Sequence, residues 1–160
     1  MKLNQEEIKT ILPHRDPMLL VTSVEELTPG EEIRASFYAD PAREIFPGHF
    51  PGNPVLPGVY TVECLGQAAD LVVMTTERYA GKTPLLIGVD KARFTRKVRP
   101  GETLELRARL IRERAEKAIV TCAAEAYVEG ELALSCEIPL ALRESFRKKP
   151  PRDFFFIRKS

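Results

Sequence analysis

Histidine, cysteine and net charge are all scarce in this sequence of 160 residues. Lys and Arg total 24 against 23 for Asp and Glu, so the chain lacks the positive field with which many nucleic-acid-binding proteins attract their ligand. The three cysteines, Cys64, Cys122 and Cys136, contain no Cys-x-x-Cys pair, which gives no sign of a zinc site or a disulfide framework. This pattern favours buried, reduced thiols in a cytoplasmic protein.

Long hydrophobic runs are also missing from the chain. No apolar run approaches the ~20 residues that cross a bilayer, and residues 1–4 open no apolar signal segment. We therefore expect a protein with no membrane span and no nucleic-acid partner. The length suits one folded domain with one core.

The first forty residues predict one short helix and two strands. Asn4 followed by Glu7 is typical of a helix start, and Pro13 ends that helix. The apolar residues at 18–24 predict a strand. After a turn, apolar and polar residues alternate over residues 33–37, which predicts a second, half-buried strand.

One long helix and a set of neighbouring strands are predicted for the remainder. Residues 59 to about 79 contain no proline and are apolar on most sides, which is typical of a buried helix. Residues 104–110, 118–128 and 132–142 alternate apolar with polar side chains, as adjacent antiparallel strands do. The predicted fold class is α+β, with a curved antiparallel sheet wrapped around one long central helix.

The segment before the long helix contains the first candidate for chemistry. Residues 46–58 read FPGHFPGNPVLPG, and four prolines and three glycines in thirteen residues predict a stiff, shaped loop without regular structure. The loop contains His49, one of only two histidines. Histidine exchanges protons near neutral pH, and a rigid loop would hold its ring in place. A lone histidine is more often a structural residue that caps a turn.

Glu63 adds a second candidate, because it lies inside a helix where a carboxylate is costly without partners. We expect burial to raise the pKa of Glu63 and to keep it protonated as a proton donor. Gln67, one turn further on, is placed to hydrogen-bond the carboxyl group. The alternative for Glu63 is a buried ion pair or an exposed helix edge. At the helix N-terminus near Gly58, free N–H groups would favour negative charge on a bound oxygen.

Other polar residues are given structural roles. Cys64 points about 100° away from Glu63 around the helix and is interpreted as a packing residue. His14, between two prolines, is interpreted as a structural residue of the surface. A basic stretch is interpreted as a solvated edge, with an acidic protein partner as the functional alternative. It comprises Lys91, Arg93, Arg96, Lys97 and Arg99.

These motifs together resemble one known family. Residues 49–59, HFPGNPVLPGV, followed by Glu63 and Gln67, resemble the central motif of the bacterial (3R)-hydroxyacyl-[acyl-carrier-protein] dehydratases of the hot-dog fold. The resemblance extends over roughly residues 5 to 142. Supporting motifs lie at residues 12–21, 88–94 and 100–102.

The resemblance implies a site shared between two subunits. It implies dimers whose sheets join edge to edge, with three dimers in a hexamer and an apolar acyl tunnel at the dimer interface. Each site takes His49 from one subunit and Glu63 from the other. The Gly58 N–H would bind the thioester oxygen, and the carbonyl of Val55 would orient the His49 ring. Gly66 departs from the family, which usually has alanine there.

The predicted reaction is the loss of water from a 3-hydroxyacyl thioester carried on acyl carrier protein, in type II fatty acid biosynthesis. His49 removes the C2 proton and Glu63 protonates or orients the C3 hydroxyl group, which leaves a trans-2-enoyl thioester. No metal or cofactor is expected. The alternatives are a thioesterase of the same fold, a dehydratase of a specialised acyl or polyketide pathway, and a non-catalytic acyl-binding domain. Residues 1–142 form the predicted domain, and residues 143–160 a basic and aromatic extension.

Overall fold

Seven strands form one curled antiparallel sheet beside a 17-residue helix. The structure is a computed structural model that describes residues 1–145. The helices are α1 (Gln5–Ile11), α2 (Ile45–Gly48) and α3 (Gly58–Met74). The strands are β1 (Ser23–Thr28), β2 (Glu32–Tyr38), β3 (Thr83–Leu86), β4 (Asp90–Phe94), β5 (Thr103–Arg114), β6 (Ile119–Val128) and β7 (Glu131–Arg143).

The order of the strands in the sheet is β1-β2-β5-β6-β7-β3, and β4 pairs with β7 beside β3. β3 pairs with the end of β7, where Leu86 lies opposite Leu140, and β4 pairs with its first half, where Phe94 lies opposite Leu134. β3 and β4 therefore follow one another along a single edge of the sheet. The α+β hot-dog architecture predicted from the sequence is confirmed.

Helix α3 is buried because the sheet curls around it. Every residue from Cys64 to Met74 is buried, and the inward side chains of β5, such as Leu104 and Leu106, are fully buried as well. An apolar helix of this kind is stable only when its whole surface is covered. Within residues 1–145, no helix combines the length and the apolar composition that crossing a membrane requires.

Helix α1 begins where the sequence indicates. The Asn4 side chain accepts a hydrogen bond from the Glu7 N–H at 2.9 Å, and the Glu7 carboxylate accepts one from the Asn4 N–H at 2.8 Å. This reciprocal pair satisfies two N–H groups that have no partner within the helix. The predicted helix start at Asn4 is confirmed.

Four element predictions need correction. The strand expected at residues 18–24 is wrong, because β1 begins only at Ser23. Helix α3 ends at Met74 rather than near residue 79. The loop expected to lack regular structure contains α2, one turn before His49. Strands β3 and β4 were not predicted. Most of the C-terminal extension, residues 146–160, lies outside the described residues.

Candidate active site

The loop that holds His49 is fixed by its own backbone hydrogen bonds. The Val55 N–H donates to the His49 carbonyl at 2.8 Å, and Phe50 and Asn53 exchange two bonds of 3.0 and 2.9 Å. The Leu56 N–H donates to the carbonyl of Val98 at 2.8 Å, which ties the loop to the body of the domain. The stiffness predicted from prolines and glycines thus has a hydrogen-bonded basis.

The His49 ring is held in one orientation by two contacts. Its Nδ1 lies 2.8 Å from the carbonyl oxygen of Val55, and the ring stacks on Phe50 with centroids 4.0 Å apart. Because a carbonyl only accepts, Nδ1 carries the hydrogen in this bond. In the neutral ring the other nitrogen, Nε2, is then free to accept a proton. This arrangement suits a general base.

A cavity of 480 Å³ lies against this ring. His49, Val55, Gly58 and Phe94 all contribute to its lining. A Cβ atom at position 58 would lie 2.7 Å from Cε1 of Phe94, so glycine lets the Phe94 ring close over the first turn of α3. The Gly58 N–H donates no backbone hydrogen bond within residues 1–145. It is therefore available to an oxygen bound in the cavity.

Glu63 is held by Gln67, one helical turn further along α3. Nε2 of Gln67 donates to Oε1 of Glu63 at 2.9 Å and to the main-chain carbonyl of Met18 at 2.7 Å. Oε1 of Gln67 accepts from the Leu20 N–H at 2.9 Å. Gln67 is fully buried, and these bonds satisfy both ends of its amide group. The hydrogen bond expected between Gln67 and Glu63 is present.

His14 is a neighbour of Glu63 that the sequence did not reveal. Its Nε2 lies 3.4 Å from Oε1 of Glu63, and its side chain is only 20% exposed. The interpretation of His14 as a surface residue is wrong. The contact joins positions 49 residues apart, so no local pattern could indicate it.

The pKa of Glu63 also differs from expectation. Burial acts to raise the pKa of this carboxyl group, but its contacts with His14 and Gln67 outweigh burial and hold the pKa below its ordinary value. The prediction of a raised pKa is wrong for the single chain, because the helix surface around Glu63 is more polar than its apolar periodicity indicates. Glu63 remains 29% exposed at its side chain.

The single chain assembles two half-sites. One contains His49, Val55 and Gly58 around the cavity, and the other contains Glu63 with Gln67 and His14. Within residues 1–145, no hydrogen bond or ion pair joins His49 to Glu63.

Cys64 is buried, and burial raises the pKa of its thiol, which fits a packing role. No group of three potential metal ligands is found in the described part of the chain.

Comparison with known proteins places the chain in a family. The family model described as FabA-like domain matches residues 12–137, which is most of the chain. The chain belongs to the FabA-like family. The matched segment contains both half-sites, from His14 to Gln67.

Several curated proteins are similar to this chain over 82 to 97% of their own length. A 3-hydroxyacyl-[acyl-carrier-protein] dehydratase of Oenococcus oeni is 48% identical over 132 residues, which cover 82% of this chain and 94% of the relative. The dehydratase of Lactobacillus helveticus is 40% identical over 146 residues, covering 91% and 97%. That of Enterococcus faecalis is 49% identical over 115 residues, covering 72% and 82%.

Solved structures of lower identity share the fold of this chain. The dehydratase heterocomplex ApeI:P from Xenorhabdus doucetiae matches with a TM-score of 0.72 at 16% identity, covering 86% of this chain and 91% of that one. A hypothetical thioesterase from Streptococcus pneumoniae, solved with coenzyme A, matches with a TM-score of 0.56 at 9% identity, covering 76% and 87%. At such identities the likeness concerns the fold alone.

Proposed function

We propose that this protein is a hydro-lyase that dehydrates 3-hydroxyacyl-[acyl-carrier-protein] to the trans-2-enoyl thioester in fatty acid biosynthesis. The observation that carries the proposal is the set of curated relatives at 40 to 49% identity, each a dehydratase of this substrate. The two half-sites supply the acid–base groups that this elimination requires. The chemistry is proton transfer at C2 and loss of the hydroxyl group at C3.

His49 acts as the base. The thioester carbonyl binds at the Gly58 N–H, and the positive end of α3 stabilises the negative charge that develops on its oxygen. The C2 proton then becomes more acidic and passes to Nε2 of His49. The Val55 carbonyl, 2.8 Å from Nδ1, keeps Nε2 in the acceptor state and stabilises the imidazolium ion that forms.

Glu63 binds and then protonates the oxygen that leaves from C3. In the free chain its depressed pKa favours the carboxylate, which can accept a hydrogen bond from the C3 hydroxyl group. When acyl chain and partner subunit cover the half-exposed side chain, the loss of water shifts the pKa upward, toward the form that donates a proton. The C3–O bond breaks as the protonated Glu63 gives its proton to the oxygen, which leaves as water, and the electron pair of the broken C2–H bond forms the double bond between C2 and C3.

The two half-sites complete each other across a dimer. The separation of His49 and Glu63 within one chain supports a site built from two subunits. The edge formed by β3 and β4 is a suitable interface, because several large apolar side chains on these strands and on the connection between them are exposed. These are Leu85, Leu86, Ile87, Val89 and Phe94. Three such dimers in a hexamer and a cytoplasmic location are further parts of this proposal.

The acyl carrier protein docks on basic residues near the cavity. Lys97 lines the cavity itself, and the side chains of Arg93, Lys97 and Arg99 form no ion pair with residues 1–145. Arg96, by contrast, is paired with Glu102 at 2.9 Å and with Glu131 at 3.0 Å. The unpaired cations are free to attract an acidic carrier.

Purified protein with 3-hydroxyacyl carrier proteins of several lengths tests the proposal. We expect enoyl formation by the wild type and a loss of at least ~10²-fold in kcat/KM for His49→Ala and Glu63→Gln. Gln5→Ala, on the exposed first turn of α1, serves as the matched control. Full dehydration by His49→Ala would remove His49 from the mechanism.

The same assay separates the rival functions. Release of free thiol without enoyl absorbance would support a thioesterase, for which the pneumococcal structure offers a likeness in fold only. Acyl binding without turnover, unaffected by both substitutions, would support a non-catalytic binding domain. Turnover confined to branched or otherwise substituted chains would place the enzyme in a specialised acyl pathway.

A further inference from the structure

Asp70 is a buried carboxyl group that the proposed mechanism does not use. It lies on α3 with only 5% of its surface exposed, and its Oδ1 has no hydrogen-bond partner within residues 1–145. Burial, and then the negative charge of Glu63, raises the pKa of Asp70 well above its ordinary value. Buried polar atoms in proteins are nearly always paired, so an unpaired carboxyl oxygen calls for a partner from outside the chain.

Gly66 provides open space beside this group. A Cβ atom built on Gly66 would meet no heavy atom within 4 Å outside its chain neighbours and the backbone of α3. Gly66 is nevertheless a buried position. Asp70 follows it by four residues, and helical side chains lean toward the N-terminus over the preceding turn. Asp70 therefore lies one helical turn from the open space at Gly66, on the same face of α3.

The two residues continue a row that begins at the reacting end of α3. Glu63 precedes Gly66 by three residues, and side chains three and four apart lie on the same helix face. The negative charge of Glu63 also contributes, after burial, to the raised pKa of Asp70, as expected for two carboxyl groups on one side of the helix. The row runs from the partly exposed Glu63 to the buried Asp70.

Resting on the proposed function, we propose that Gly66 and Asp70 form a polar subsite in the acyl path. It takes a hydroxyl group carried on the acyl chain, which occupies the space beside Gly66 and donates a hydrogen bond to Oδ1 of Asp70. Asp70 follows Glu63 by seven residues, so the subsite lies about 10 Å along the helix axis from the reacting carbons.

The subsite discriminates between chains of equal length. A chain ending in a methyl group would fill the space and leave the Asp70 oxygen dehydrated and unpaired. A chain ending in a hydroxyl group would satisfy that oxygen. An unpaired buried polar group costs enough to weaken binding of the plain chain by roughly tenfold relative to the hydroxylated one.

Binding experiments without turnover test this subsite. The probes are pantetheine thioesters of saturated acyl chains without a 3-hydroxyl group, each length made with a terminal methyl and with a terminal hydroxyl group. Calorimetry on the wild type should give about tenfold tighter binding of the hydroxylated member at one particular chain length. Asp70→Leu should remove or reverse this preference, and Asp70→Asn, which keeps a hydrogen-bonding group, should retain it.

Thermal unfolding would reveal whether Asp70→Leu misfolds. A second variant tests the proposal without replacing Asp70. Gly66→Val keeps Asp70 but fills the open space, and it should weaken binding of the hydroxylated probe by at least about fivefold. Equal binding of both probes by the wild type at every length would overturn the proposal. Because these probes cannot be dehydrated, that outcome is independent of turnover. Failure of the wild type to dehydrate a short 3-hydroxyacyl carrier protein would instead overturn the proposed function.

Discussion

At the scale of single residues, the protonation of Glu63 depends on a balance between burial and two polar neighbours. Burial alone would raise the pKa of Glu63, and the contacts with His14 and Gln67 lower it further than burial raises it. A group whose pKa is depressed in the folded state stabilises the fold above its unfolded pKa and loses that contribution as pH falls through the folded value. Because the contact with His14 helps to lower the pKa of Glu63, it is part of this contribution to stability.

Replacing His14 with alanine should shift this balance toward the neutral acid. Without the ring 3.4 Å from Oε1, burial dominates, and the pKa of Glu63 in the free protein should rise. Titration of the side-chain carboxyl signals by NMR measures this, with Glu63→Gln identifying the Glu63 signal. Gln5→Ala, on the exposed first turn of α1, is the control and should leave the Glu63 midpoint as it is in the wild type. A Glu63 midpoint that does not move in His14→Ala would show that His14 has no part in setting the charge.

At the scale of elements, features that depend on one segment of the sequence could be predicted. Contacts between residues far apart in the sequence could not. The long helix and the strands of the last half follow from apolar periodicity, and His49, Glu63 and Gln67 from a compact motif. The strand expected at residues 18–24 does not begin until Ser23, because the Gln67 amide group forms hydrogen bonds with the Leu20 N–H and the Met18 carbonyl. β4 is exposed at every residue, so it carries no burial pattern.

Gln67 thus anchors α3 to the segment at residues 18–21, and its removal should loosen both. Gln67→Ala would leave the buried Leu20 N–H and the part-buried Met18 carbonyl without this partner, which costs about 2 kcal/mol. For a domain of this size the Tm should fall by about 5 °C. Thermal unfolding followed by circular dichroism measures the change, and Gln5→Ala on the exposed turn of α1 should unfold like the wild type. An unchanged Tm in Gln67→Ala would argue that water replaces the amide group.

At the scale of the whole molecule, the proposed dimer would use the exposed edge of the sheet and would complete the divided site. The edge at β3 and β4 exposes Leu86 to 44% and Phe94 to 57%, and Phe94 also closes over Gly58 beside the His49 cavity. A partner that covers this edge therefore approaches the half-site that lacks a carboxyl group. In a two-fold dimer the contact is mutual, so each half-site can be completed once.

Mixing two inactive variants tests this assembly directly. If each site takes His49 from one subunit and Glu63 from the other, a dimer of one His49→Ala chain and one Glu63→Gln chain contains one intact site and one doubly altered site. Random reassociation makes half of the dimers mixed, so about a quarter of the wild-type activity should return. The measurement is enoyl formation after unfolding and refolding the two variants together, compared with the same variants refolded apart and then combined. If co-refolding restores no activity while size-exclusion chromatography shows dimers, both groups must act from within one chain.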